Sequence, residues 1–556
     1  MKALFILLIL PLLSYSQIQY NNSEVSGGAQ DDVARKIEMD GEGNFFVLGN
    51  FTGPAAFGAN NLQGAGFSDC YLQKIDTNGE IIWTIAIGGA NTDVALTLAI
   101  DANNNAWISG KYSGSIDLDP SSSEVILASN PSNGIDCFLA CYNGQTGAYI
   151  THKDISSGGI LEIRAIKFTD NQQVIIGGTF QFTVDFDFSA GTLSKTSFVN
   201  SFDGFVANYS ADFETINWVN ILNSGNPALD YVNDVEILNN KMYITGLVAG
   251  TMDIDPGNNI VQLVGATDAF LISYNVNNGN LNWGFKIGGN SLEIGSFVSI
   301  INNKVYLNGT INSNNVDFNP GNANNLLSPN GLSSPPFIAK YDTLGNYVSS
   351  YLFDIAATGT YSISAIKAAE NNEILVSGYF KGNIDIDPSV NSVILSSSGI
   401  NNSFFMWLNQ SDSLLNYKFI ESTTENTLND VIFSQGEVFA IGAFENSCIP
   451  DQTLSESVEA LSQGNADAFV FNYSPNVTAI SKIFSKDLNL YPNPINEQTT
   501  IAYSQNIEFE IFDITGKKHG TIFSNISNEL FNNLPKGLYI AVNVENSLSV
   551  RFIKAD

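Results

Sequence analysis

The sequence predicts an all-β protein: a seven-bladed β-propeller with four strands per blade, followed by a small C-terminal β-sandwich. Three observations predict it. A block of strand-like segments recurs seven times, ending near Ser474. Within each block apolar and polar residues alternate with period two, and no helical period appears. The two ends of the repeated region are complementary: the last copy lacks a strand, and an extra strand precedes the first.

The block runs as an apolar strand, an Asn/Asp turn, a strand ending near Gly, an acidic loop, an Asp-x-aromatic strand, a second turn and an aromatic strand. In the second copy these are LTLAID, ANNN, AWISGKY, GSIDLDP, DCFLACY, GQTG and AYITHK. Aligned on the second-strand glycine, the copies are anchored at Gly49, Gly110, Gly178, Gly246, Gly309, Gly378 and Gly442. The intervals are 61, 68, 68, 63, 69 and 64 residues, and the variation falls in loops. Four antiparallel strands repeated at this period suit propeller blades better than a flat sandwich or a solenoid of shorter coils.

An open ring would expose strand edges, so the ends must meet. The seventh copy stops at DAFVFNYS, Asp467 to Ser474, without its fourth strand. The orphan strand Ile18 to Ser26 precedes the first copy. The run Gly27–Ala34 after it matches Gly88–Ala95, which follows the first copy's own fourth strand. Tyr20 then falls in the slot of Trp83, Trp218 and Trp283. The N-terminal strand is therefore expected to close blade seven as its outer strand, and the three tryptophans to pack between blades.

The chain ends carry an address. Residues 1–16, MKALFILLILPLLSYS, combine Lys2, an apolar run and small residues at Ser14 and Ser16. This is the pattern of a secretory signal peptide, and no later run is long and apolar enough for a transmembrane helix. Residues 17–474 make up the propeller, 475–486 read as a linker, and 487–556 as a small all-β module. That module contains Leu490-Tyr491-Pro492-Asn493-Pro494, then Ile511-Phe512-Asp513-Ile514-Thr515-Gly516-Lys517, then Leu534-Pro535-Lys536-Gly537-Leu538-Tyr539, then Lys554. In order and spacing it closely resembles the type IX secretion system (Por) C-terminal sorting domain of Bacteroidetes. The resemblance implies passage to the periplasm, recognition of the tail by the type IX machinery, and a secreted or cell-surface product. The Asp-x-Phe spacing of the third strands and the acidic Asp-x-Asp-Pro loop also resemble bacterial propeller repeats of the SBBP type. That likeness bears on fold and not on activity.

Composition narrows the partners. Of 556 residues, 23 are Lys or Arg and 55 are Asp or Glu, a formal net charge of -32. This excludes nucleic acid or an anionic membrane surface as the main partner. At 44% hydrophobic and 14% charged residues, the chain can bury a large core. The two histidines, His152 and His519, exclude chemistry that needs a histidine cluster. Cys70 and Cys137 occupy a slot held elsewhere by Gly204, Ala269 and Ala468, so they read as small buried free thiols. Cys141 is too far along its strand to bridge Cys137, and Cys448 has no repeat counterpart.

The acidic loop is the sharpest local feature. It places Asp117 and Asp119, Asp185 and Asp187, Asp253 and Asp255, Asp317 and Asn319, and Asp385 and Asp387 two residues apart. Residues i and i+2 on extended backbone share a side. Such pairs are candidate Ca²⁺ ligands, above all Asp117, Asp119, Asp253, Asp255, Asp385 and Asp387. The competing role is structural: the first Asp accepts backbone N–H bonds and the second opens an Asp-Pro turn. If strands run from inner to outer, these loops and the blade-to-blade links share one face, the expected ligand face. Asp32, Asp93 and Asp230 precede inner strands near the axis, where a turn or cap role competes with an axial one.

Nucleophile-elbow, metalloprotease, P-loop and sialidase Asp-box motifs are missing from the sequence. The reading favours a non-enzymatic secreted or surface propeller that binds or adheres to a protein or glycan. Two alternatives stand beside it: a polysaccharide-active propeller hydrolase and a structural cell-envelope component.

Overall fold

The computed structural model describes residues 18–475 apart from short loop segments (130–134, 156–158, 200, 226–228, 322–323, 331–333, 354–358, 390, 398–399 and 452–458). Beyond them it describes 490–491, 500–501, 508–513, 517–523, 534–543 and 548–554. The expected signal peptide and most of the linker lie outside the described residues. The chain divides into two compact units, Ile18–Ser474 and one that includes Pro475–Asp556.

The first unit is built of repeated four-stranded antiparallel sheets. Copies one to five each form a separate sheet in chain order. Copy six keeps that order and continues through its last strand into the final sheet. In that sheet Asn426–Ser434, Glu437–Ile449 and Ala460–Pro475 pair in turn. The N-terminal strand Ile18–Gly28 takes the fourth place, beside Ala460–Pro475. It is fixed there by Lys418 Nζ, which donates to the Ile18 carbonyl at 3.0 Å, and by Asn21 Nδ2, which donates to Asn472 at 2.9 Å.

The second and third strands of copy one, Phe45–Phe51 and Asp69–Ile75, are buried at every position, and those of the other copies at most positions. Both their faces meet neighbouring sheets, which is why they read as near-continuous apolar runs. Outer strands such as Ile81–Ile87 are largely half-buried, with Ile82 exposed. The seven inner strands are Val33–Met39, Val94–Ile100, Leu161–Phe168, Tyr231–Leu238, Ile294–Ile301, Thr360–Ala368 and Asn426–Ser434. Each lies against the next, and the last lies against the first. Seven apolar clusters fill the spaces between successive copies among the described residues. One of them joins Phe439, Ile441, Ala468 and Val470 of copy seven to Phe45, Val47 and Tyr71 of copy one.

The anchor glycines have a common cause. Each pairs with the inner-strand residue just before a register shift: Ala34, Ala95, Ile163, Val232, Gly295, Ile363 and Leu428. The shift is a β-bulge that re-aims the next residues toward the axis. A Cβ on any anchor glycine would strike a carbonyl oxygen of the bulged strand, that of Val33 for Gly49 and Tyr231 for Gly246. Only glycine lets the strands close over the bulge.

The tryptophans pack between copies. Trp83, Trp218 and Trp283 lie over the turn glycines Gly147, Gly279 and Gly345 of the next copy, whose φ values are +71, +70 and +85. Tyr20 packs on Phe471 and Tyr473 at centroid distances of 6.1 and 5.8 Å. All four cysteines are buried and free.

The second unit holds a four-stranded antiparallel sheet of Lys518–Phe523, Glu508–Asp513, Gly537–Asn543 and Leu548–Lys554. The pair Leu490–Tyr491 and Thr500–Ile501 forms a separate two-stranded sheet. Phe509, Ile511, Ile522, Tyr539 and Ala541 are buried in this unit.

Candidate functional site

The inner strands enclose a cavity of about 480 Å³, lined by residues of all seven copies. Its charged lining is Lys36 and Glu38 from copy one, Glu162, Arg164 and Lys167 from copy three, Asp234 and Glu236 from copy four, Lys367 from copy six and Asp430 from copy seven. Lys36, Asp234 and Asp430 are the residues that follow a bulge. Glu38, Lys167, Glu236 and Lys367 follow two residues later on the same strand faces. Four of the chain's 23 basic residues thus line one axial cavity of an acidic protein. That placement is specific, because net charge alone would leave the cavity anionic.

Most of these charges pair across copies. Lys167 Nζ lies 2.5 Å from Glu236, and Lys367 Nζ lies 3.8 Å from Asp430 and 4.0 Å from Glu38. Arg164 meets Glu162 at 2.6 Å, donates to Asn233, and sits 4.8 Å above the Tyr231 ring. Lys111 also reaches Glu162, at 2.8 Å. Burial acts to lower Lys167, but Glu236, Glu38 and Asp234 outweigh it and hold the ammonium above the ordinary lysine value. Lys367 is held up in the same way by Asp430 and Glu38. Burial pushes Asp234 up to about 6 against the pull of Lys167 and Lys36, while Val298 N donates to it at 3.0 Å. Lys36 enters no ion pair within 4.0 Å among the described residues. Ser296, Ser299 and Ser364 supply hydroxyls to the wall, and among the described residues the Ser364 hydroxyl is enclosed without a hydrogen-bond partner.

The acidic loops lie apart from this cavity, and their carboxylates close the loops. The first side chain, Asp117, Asp185, Asp253, Asp317 or Asp385, accepts the backbone N–H two residues and eight residues on, at 2.7–3.1 Å. The second, Asp119, Asp187, Asp255, Asn319 or Asp387, accepts the N–H two residues on, at 2.8–3.0 Å. The residue between them, Leu118, Phe186, Ile254, Phe318 or Ile386, is buried. In four copies its carbonyl accepts a third-strand tyrosine hydroxyl, from Tyr142, Tyr209, Tyr274 or Tyr341, at 2.8–2.9 Å. The loop hairpin also ties to the preceding copy, where Asp117 N donates to the Gly88 carbonyl at 3.0 Å. Among the described residues no group of three or more His, Cys, Asp and Glu is arranged to hold a metal ion.

Asp32, Asp93 and Asp230 are fully buried and accept N–H bonds from Gly28, Gly89 and Ser224 at 2.7–2.8 Å. They brace the blade-to-blade links and do not line the cavity. The axial charges carry no sequence motif. They become visible only when the copies are aligned on their glycines, as polar residues that interrupt apolar inner strands.

In the tail, Tyr491 pairs with Thr500 in the two-stranded sheet, while Pro492, Asn493, Pro494 and Gly516 lie outside the described residues. Asp513 meets His519 Nε2 at 2.7 Å, and the Tyr539 hydroxyl donates to the Pro535 carbonyl at 2.8 Å. Lys517 N donates to Asp513 at 3.1 Å, Gly537 opens one strand, and Lys554 ends another.

Residues 489–554 match the secretion system C-terminal sorting domain. This tail directs type IX secretion to the cell surface or extracellular space and implies contact with that machinery. Among the described residues no helix is long and apolar enough to cross a membrane. An uncharacterized WD repeat-containing protein of Acanthamoeba polyphaga mimivirus is 22% identical over 85% of the chain. The chain spans 37% of that relative's length. Similar solved structures include the β-propeller domain of the Trilobed protease from Pyrococcus furiosus, 9% identical, with a TM-score of 0.36 over 83% of this chain and 99% of that one. A protein of unknown function from Bacteroides caccae is 10% identical, with a TM-score of 0.28 over 59% of this chain and 87% of that one.

Proposed function

We propose that Ile18–Ser474 is a seven-bladed propeller, closed by its N-terminal strand, that acts outside the cell as a binding protein. The ligand is a protein or a glycan, taken at the axial cavity and the loop face around its mouth. Residues 487–556 form a β-sandwich that serves export and not binding. One observation carries the reading: an axial cavity lined by residues of all seven copies, with charges of both signs among them. Rigid rings with polar axial cavities present converging groups without reorganisation on binding. The acidic loops act in this reading as stitches between blades that hold the face in shape, with no Ca²⁺ needed.

The purified chain would be screened on a glycan array and against extracellular protein extracts. Lys36→Met and Arg164→Met are expected to weaken whatever binds. Binding that survives both changes, with the fold intact, would refute the axial site.

A second reading has one observation behind it. Asp234, held up to about 6 in the cavity that also contains Asp430 and Glu236, suits a general acid. Turnover on a polysaccharide panel that Asp234→Asn abolishes would select this reading.

A further inference from the structure

Where one copy's third strand begins, it meets the residue that leads into the next copy's inner strand. At two such junctions the meeting residues are both acids and little else is present. Asp69 lies beside Asp93, and Asp467 beside Asp32. Relative exposure is 2% for Asp69 and zero for the other three. One oxygen of three of them takes a backbone donor: Ala65 N on Asp69 at 2.6 Å, Gly89 N on Asp93 at 2.7 Å and Gln463 N on Asp467 at 2.8 Å; Asp32 takes two, Gly28 N at 2.7 Å and Thr52 N at 3.0 Å. Among the described residues, Oδ1 of Asp69, Asp93 and Asp467 is enclosed and meets no donor. Glycine permits the approach: a Cβ on Gly27 would stand 2.6 Å from the Asp467 carboxyl carbon and 2.8 Å from Asp32 Oδ2.

The same slot in other copies shows what it requires. Between copies six and seven it holds two neutral amides, Asn402 and Asn426, both fully buried. Between copies four and five it holds Asp268 and Glu293, with Lys286 paired to Asp268. Between copies three and four it holds Asp203 and Asp230, with hydroxyl donors from Ser201 at 3.1 Å and Ser224 at 2.7 Å. Amides, a lysine or extra hydroxyls offset the charge in these three places. The Asp69–Asp93 and Asp467–Asp32 junctions have none of them. Two carboxylates enclosed together with no cation or side-chain donor beside them are strongly unfavourable.

We propose that the Asp69–Asp93 and Asp467–Asp32 pairs each hold one proton between two carboxyls, and that this makes two junctions of the ring pH-sensitive, tight when protonated and loosened when fully ionised.

Burial pushes Asp32 and Asp93 up to about 7 and raises Asp69 and Asp467. The other titratable groups beside these pairs are Asp31 and Tyr71 near Asp32, and Cys70 near Asp69 and Asp93. Arg35 lies near Cys70 and Tyr71, with its Nε donating to Asn50 at 2.7 Å. In the unfolded chain the same carboxyls ionise near 3.8. The folded ring therefore binds more protons between about pH 4 and pH 7. The contribution is present in full below about 4, falls as pH rises through about 7, and is flat beyond. Each pKa unit of displacement changes the unfolding equilibrium about tenfold.

The test compares urea unfolding of the full chain, wild type and Asp93→Asn, from pH 4.5 to 8.5. Asp93→Asn is expected to gain stability relative to wild type as pH rises, by about tenfold or more in the unfolding equilibrium. The infrared band of protonated carboxyls at pH 5.5 should weaken in the variant. Parallel pH profiles would overturn the proposal. So would an EDTA-induced loss of wild-type stability at pH 8 that Asp93→Asn removes, since the pair would then hold a cation. If Asp93→Asn does not fold, Asp69→Asn carries the same comparison, and absence of the band in wild type would itself overturn the proposal.

Discussion

Replacing Gly246 by alanine tests the account of the bulge. The new Cβ would stand 2.8 Å from the Tyr231 carbonyl carbon, closer still to its oxygen, and 3.1 Å from the Phe270 ring. Neither neighbour can yield alone, because Tyr231 pairs with Leu247 across the same ladder and Phe270 is fully buried. Overpacking of this kind costs about 1–3 kcal/mol, and here the upper end applies because backbone has to move. Alanine restricts the unfolded chain and returns about 0.4–1 kcal/mol. The net expectation is a loss of about 2 kcal/mol, read as a lower urea midpoint at unchanged slope. Hydrogen exchange should quicken first in Tyr231–Leu238. Gly225→Ala is the control: nothing lies within 4 Å of its Cβ, and its φ of +66 is the only obstacle, worth about 1 kcal/mol. If Gly246→Ala stays within about 0.5 kcal/mol of wild type, the sheet does not require glycine opposite the bulge and the reasoning fails.

Two further changes probe how the sheets are fastened. Lys418 Nζ lies 2.5 Å from Asp451 and 3.0 Å from the Ile18 carbonyl, and both side chains are buried. Lys418→Met removes the buried cation facing Asp451 and should cost about 3–5 kcal/mol, with exchange quickening across Ile18–Gly28; unchanged protection of that strand would contradict its role as a fastening. Tyr274→Phe removes the 2.8 Å donor to the Ile254 carbonyl, expected to cost about 1–2 kcal/mol and to speed proteolysis of the 254–261 loop; an unaltered loop would show that the hydroxyl is dispensable.

The repeat was legible because each copy carries the same short signals: an Asp/Asn turn, a glycine, an Asp-x-aromatic strand. Those are local, and local signals survive in a linear reading. The meaning of the glycine was not local. Gly246 is required by a bulge at Asn233, on the partner strand. A bulge is one extra residue in a ladder, and it leaves no composition of its own. The axial charges were hidden for a related reason. Lys36, Asp234 and Asp430 occupy one repeat position, yet their signs differ from copy to copy, so no motif results. The acidic loops show the opposite case. Asp117 and Asp119 were conspicuous in sequence, and the structure gives their oxygens to backbone amides. The buried acids Asp32 and Asp93 are marked in sequence by their place before inner strands, but their partners Asp467 and Asp69 sit in other copies, and pairing is a property of the folded chain.

The strand that leads to the sorting tail, Ala460–Pro475, lies inside its sheet, with Glu437–Ile449 on one side and Ile18–Gly28 on the other. A tether attached at Pro475 therefore pulls on a strand gripped from both flanks. Tension along it has to shear two ladders together, where an edge strand would unzip one bond at a time. A particle held at a cell surface by its C-terminus would resist drag at this point, and the N-terminal segment, by supplying the second grip, sets the force at which it lets go.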